Sequence, residues 1–254
     1  MVTQTRLACS IALFLAAVLS VSGQTAHTAP TSDGIISQMS EAQAANRVLF
    51  FPYTVTRDYK LFGGKTTGSP KSHVIADISV IPPAFKKYTI ENATGSGLAE
   101  RIVRKALDSE VAFAKDSRST DITRENYNFS LIGENLQNGQ RCYVVEIIPK
   151  RKSTNLLRGT LWVDAVTHLP RRVEGEPAKN PSWWLTDVRV VLVYDYVGPM
   201  WVQTSSTATA KVRIIGRSSM IWHDMSYQIG GLTQRFSLAR PVVPVGEVDA
   251  EDQR

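Results

Sequence analysis

Cysteine is scarce: two residues in 254, Cys9 and Cys142. Cys9 lies in an N-terminal segment expected to be removed on export, which leaves Cys142 alone. No internal disulfide can then form, even in an oxidising compartment, and Cys142, inside an apolar run, reads as a core residue. Catalytic signatures are missing too. There is no His-Glu-x-x-His, Gly-x-Ser-x-Gly, phosphate-loop or Cys-x-x-Cys pattern. His27, His73, His168 and His223 are scattered, none with a second histidine at ligand spacing. No metal, no cofactor and no catalytic residue is therefore expected, although a triad assembled from distant positions stays open. Gly95-Ser96-Gly97 lacks the residue order of a nucleophile elbow and reads as the start of a helix. Long apolar runs are limited to one, Leu7 to Val21, about 15 residues against the ~20 of a spanning helix.

That run follows Arg6 and precedes the small residues Val21-Ser22-Gly23, the layout of a cleavable export signal. The expected organisation is a signal peptide over residues 1–23, one domain over 24–235 and a mobile tail over 236–254. A retained membrane anchor is the alternative. Cys9 lies near the start of the apolar run and not after it, so it does not suit lipid attachment. Loss of Arg6 takes the net charge from +6 to +5. Nucleic acid is a poor partner for an exported chain, and its basic residues are not interleaved with stacking aromatics. Lys150-Arg151-Lys152 and Arg171-Arg172 instead suit anionic envelope lipids or an acidic protein surface, against a plain reading as solvated turns.

Periodicity supplies the elements. Ser32 and Asp33 are N-cap types ahead of Ile35, Met39 and Ala42, predicting a helix over 33–47. Strands are predicted over 49–61 (broken near Pro52), 72–81 and 85–92. A second helix over 98–115 carries the stripe Leu98, Ile102, Val103, Leu107 and Val111, with Glu100 and Arg104 paired on its polar side. From Asn126, Tyr127, Phe129 and Leu131 alternate with polar residues. Gly133-Glu134-Asn135 and Asn138-Gly139 read as turn residues before Cys142 to Ile148. Leu157 to Asp164, the turn Thr167-His168-Leu169-Pro170, and Arg171 to Glu174 complete a meander. A strand over 187–197 places Val188, Val190, Leu192, Tyr194 and Tyr196 on one face. Met200-Trp201-Val202, a strand with Ala208, Ala210, Val212 and Ile214 facing one way and Thr207 the other, and a last strand over 218–229 follow. The five tryptophans suit a large apolar interior.

The runs NGQRCYVVEIIPKR and LRGTLWVDAVTHLPRRVEGEP resemble the central hairpins of the LolA/LolB-like outer-membrane lipoprotein-sorting family: a strand ending in Pro, an "lwvD" strand, a T-x-L-P turn and a return strand. The likeness extends more loosely over about residues 33–230. About ten strands and two helices make an α+β arrangement dominated by antiparallel sheet; the resemblance implies its closure into an incomplete barrel, a half-barrel with a helical lid.

The resemblance also implies a function: a non-enzymatic, monomeric periplasmic carrier of lipoprotein or lipid acyl chains, delivering them toward the outer membrane. A membrane transporter or outer-membrane receptor would be its partner, with transient membrane-surface contact. The alternatives are an envelope-sensing regulatory lipid- or lipoprotein-binding protein and a periplasmic hydrolase. On this reading Tyr53, Val55, Arg57, Tyr59 and Leu61 form the cavity face, and Leu98, Ile102 and Leu107 the lid. Arg57 is the odd charge on an apolar face. Buried, it needs partners; a bulge that flips the register, or a place at the strand's rim, would leave it in water.

Overall fold

The computed structural model describes residues 30–64, 68–213, 216–230 and 232–235. The expected signal peptide, the tail over 236–254 and Ile214 lie outside the described residues.

Eleven antiparallel strands form one sheet, against the ten expected. Helix α1 (Ser32–Val48) leads into β1 (Tyr53–Gly63), β2 (Ser72–Ile81) and β3 (Phe85–Gly95). Helix α2 (Gly97–Ala114) then carries the chain across to β4 (Tyr127–Gln137). From there β5 (Gln140–Pro149), β6 (Leu157–Asp164), β7 (Pro170–Pro177), β8 (Leu185–Val197), β9 (Met200–Val212) and β10 (Gly216–Ile229) meander back until β10 pairs with β1. The spatial order is β3-β2-β1-β10-β9-β8-β7-β6-β5-β4, with β11 (Leu232–Arg235) paired to the end of β10. The sheet is thus open, with edges β3 and β4 that are neighbours in sequence but lie at opposite ends of the ladder.

One ladder row fixes the two faces. Tyr59 pairs with Trp222, Trp222 with Ser206, Ser206 with Leu192, Leu192 with Val173, Val173 with Leu161, Leu161 with Val145 and Val145 with Leu131. Directly opposed residues share a face, so these positions define the covered side. Both helices lie on it. Ile35, Ile36 and Met39 of α1 pack among Tyr127, Val145, Ile147 and Leu161. Val103 and Leu107 of α2 pack among Val55, Tyr59, Val74, Ala76 and Ile78.

Local chemistry sets the boundaries. The N-cap of α1 is Thr31, not Ser32 or Asp33; its hydroxyl accepts from the Gly34 N–H at 3.1 Å. The β4–β5 turn is Asn138-Gly139, with φ of 51° and 80°, as a two-residue hairpin requires. Gly133-Glu134-Asn135 is not a turn: β4 absorbs an extra residue between Leu131 and Gly133 and stays paired to Gln137. Met200-Trp201-Val202 and the strand after it are one continuous β9. An irregularity beside Val193 and Tyr194 places its extra residue, Thr204, on β9, so β8 keeps its alternation, and Tyr196 near the end of β8 is 44% exposed. Thr207, placed by pattern on the polar face, is buried there.

The turn that carried the family likeness is held by Asp164. Its Oδ1 accepts from the Val166 and Thr167 N–H groups at 2.9 and 2.8 Å, and its Oδ2 from Arg171 Nε at 2.5 Å. Burial works against the Asp164 charge, but those N–H groups and Arg171 outweigh it and hold the carboxyl below its usual range. Several members of the basic patches also make bonds within the fold. Arg172 is buried and pairs with Glu174 at 2.7 Å. Lys150 Nζ donates to the Arg124 carbonyl at 2.5 Å, and Arg151 to Asn126 Oδ1 at 2.6 Å. Cys142 is fully buried, and burial pushes its thiol up, away from reactivity.

Candidate functional site

Strand β1 alternates apolar residues toward the covered face, with one exception. Val55, Tyr59 and Leu61 are buried there and Tyr53 partly so. Arg57 sits among them, 5% exposed. The sheet does carry a bulge beside it, but the extra residue, Met225, is on β10, so Arg57 stays on the covered face. All five predicted face residues thus share the covered face, and Tyr53, Val55, Arg57 and Tyr59 meet α2 or the cluster its anchors belong to.

Arg57 is fully engaged. Its Nε and Nη2 donate to the two carboxylate oxygens of Asp224 on β10, at 2.5 and 3.3 Å. Nη1 donates to Glu110 of α2 at 2.9 Å. The guanidinium also lies 3.5 Å from the ring centroid of Trp222. The Tyr227 hydroxyl donates to Asp224, and Lys86 on β3 donates to the other Glu110 oxygen at 2.7 Å. Burial pushes Asp224 up, against the pull of Arg57 and Tyr227. For Glu110, burial is outweighed by Arg57 and Lys86, and the carboxyl is held down at about 2. A guanidinium in an apolar layer costs several kcal/mol unless paired; here one carboxylate comes from the sheet and the second from the helix above it.

The apolar anchors of α2 are Val103 and Leu107, one turn apart and 0% and 1% exposed. Ile102, predicted as a lid contact, is only half-buried, and the Leu98 side chain lies outside the described residues. Glu110 and Lys86 were not foreseen. Their signal is the offset of Glu110 from Val103 and Leu107, which keeps it on the helix face turned to the sheet. A cavity of about 790 Å³ lies on the outer face, lined by Trp162, Arg172, Glu174, Arg189 and Val193 among others.

On that outer face two of the histidines come together. Asp58, buried, forms an ion pair with Lys60 at 2.9 Å and lies 2.8 Å from His73 Nε2 and 3.5 Å from His223 Nε2. Pairing of β1 with both β2 and β10 brings together histidines 150 positions apart. Burial keeps His223 below its ordinary range despite Asp58. No metal-holding group of three such side chains occurs among the described residues, nor any helix long and apolar enough to cross a membrane.

A protein-family model described as "Uncharacterized protein" matches residues 104–240, just over half of the chain, and the chain belongs to that family. No curated protein matches it by sequence. Similar solved structures include the following three. One is described as an outer membrane lipoprotein-sorting protein domain from Vibrio parahaemolyticus: 16% identity, TM-score 0.46, covering 77% of this chain and 92% of that one. Another is a DUF1329 family protein from Desulfovibrio piger: 11% identity, TM-score 0.42, covering 79% and 93%. The third is a LolA superfamily protein from Nitrosomonas europaea: 12% identity, TM-score 0.40, covering 83% and 96%. As expected from the sequence, the sheet is antiparallel and open, and one face of it carries the two helices.

Proposed function

We propose that the chain is a non-catalytic periplasmic carrier. It would bind the acyl chains of lipoproteins, or of another lipid, between α2 and the face of β1–β3 and deliver them toward the outer membrane. The observation that carries this reading is the fastening of α2. Beyond Val103 and Leu107 it is held to the sheet by a polar latch, Arg57–Glu110–Lys86, over a face that is otherwise apolar. A latch of ion pairs can exchange partners. An acyl chain entering beneath the helix would gain about 0.8 kcal/mol for each methylene taken out of water, while an anionic head group replaces Glu110 beside Arg57. Asp224, on the sheet, keeps Arg57 neutralised in both states, so the helix can lift without stranding a charge. A membrane transporter and an outer-membrane receptor are the partners such a cycle requires for loading and release.

Mass spectrometry of lipid co-purified with the chain tests this reading. Stoichiometric acyl-chain lipid is expected. Arg57→Leu should keep the fold, read by circular dichroism, and change the rate of lipid uptake or release. Lipid-free protein with no affinity for acyl chains would overturn the proposal.

A further inference from the structure

The two ends of the sheet differ in charge. At one end lie the strand-to-strand turns over 82–84, 138–139, 165–169 and 198–199, which contain no Lys, Arg, Asp or Glu. At the other lie the described residues of the remaining turns, 64 and 68–71, 150–156, 178–184, and 213, which contain no Asp or Glu either. Their described residues nonetheless hold six cations: Lys71, Lys150, Arg151, Lys152, Lys179 and Arg213. Antiparallel pairing makes this a single surface, because every second turn returns to the same end of the ladder.

All six cations are exposed. Lys150 and Arg151 bond to neutral groups, a backbone carbonyl and an amide oxygen, so their charges are positioned without being cancelled. Carboxylates stand on the flanking elements: Glu176 and Asp187 beside the β7–β8 turn, Asp116, Asp121 and Glu125 in the segment before β4, and Asp33 of α1; of these Asp121 pairs with Arg47 and Asp33 with Arg124, each at 3.4 Å.

The same end presents two adjacent indoles. Trp183 is 77% and Trp184 37% exposed in the β7–β8 turn, with the Arg213 guanidinium 5.4 Å from the Trp183 ring centroid. An indole has an apolar body and one N–H donor, which suits the boundary between acyl chains and head groups. Clustered cations draw such a surface onto anionic lipid. Neither feature serves the Arg57 cluster, which lies beneath α2.

We propose that this end of the sheet docks on an anionic lipid surface, its cations against the head groups and Trp183 and Trp184 inserted between them. The docking does not depend on the carrier reading: it concerns which end of the molecule meets a membrane, whatever the covered face binds.

The test is co-sedimentation of the full chain with vesicles of phosphatidylcholine alone or mixed with phosphatidylglycerol, at low and high salt. Any contribution of residues 1–23 is common to all variants, so the readout is the increment due to phosphatidylglycerol. Wild type should show that increment, reduced by salt. The triple variant Lys152→Glu, Lys179→Glu, Arg213→Glu should weaken it by about tenfold or more. Trp183→Ser with Trp184→Ser should remove the part that survives high salt. Circular dichroism checks that each variant is folded. No increment in wild type, or an unchanged increment in the folded triple variant, overturns the proposal. So does binding to polyglutamate in place of vesicles, which would mark an acidic protein as the occupant.

Discussion

Helices α1 and α2 cover the same face of one sheet at opposite ends, and they are fastened differently. Helix α1 is held from below by apolar side chains: Ile35, Ile36 and Met39 are all buried to within 1%. Its polar contacts are peripheral, such as the Asn46 side chain, which exchanges two 2.8 Å hydrogen bonds with the Trp201 backbone. Helix α2 has two fully buried anchors and a charged group reaching beneath it. Apolar contacts are lost only by exposing surface to water, whereas an ion pair can exchange one partner for another. One helix is thus built as part of the core, and the other as a cover whose release has a chemical trigger.

The largest effect that would sharpen this contrast is at Asp224. Asp224→Ala leaves Arg57 buried with only Glu110, and should cost about 3–5 kcal/mol in urea unfolding. A loss below about 1 kcal/mol would mean that Arg57 reaches water, and would break the account of the latch. Next is Ile36→Ala, which should cost about 2–5 kcal/mol and lower the unfolding midpoint of the whole domain, since α1 and the sheet share one cluster.

Acid should act on α2 through Glu110. The folded-state carboxyl of Glu110 lies at about 2, below its ordinary 4.5, so its contribution is present above 4.5 and is lost as the pH falls through 2. Trp222, against Arg57, supplies the signal: its emission should change over that window in wild type. Glu110→Gln should remove that part of the response; an identical titration in the variant would place the acid sensitivity elsewhere. The smallest effect is Thr31→Ala, about 1 kcal/mol from loss of the α1 cap, with acyl-chain binding unchanged.

Much of the fold was legible because it is local. The predicted limits of β2 and β6 match the structure, and both helices lie within two residues of expectation. Turn residues and two-residue alternation carry that information. What alternation could not reveal is where a ladder runs through a bulge. Gly133-Glu134-Asn135 looks like a turn, yet β5 holds it in register. The candidate site was half legible. Arg57 stood out as a charge on an apolar face, but Asp224 lies 167 positions away, and only the β1–β10 register brings it close. The Asp58, His73 and His223 group was missed for the same reason.

Hydrogen exchange on the full chain, with and without an added acyl-chain lipid such as palmitoyl-lysophosphatidylglycerol, tests the central claim most directly. The account predicts that amides within α2, Gly97–Ala114, open at a lower free energy than the sheet and change protection when lipid is added. Those of α1 should exchange with the sheet and not respond. If α2 opened only with global unfolding, and lipid left its protection unchanged, the helix would be core and the carrier reading would be contradicted.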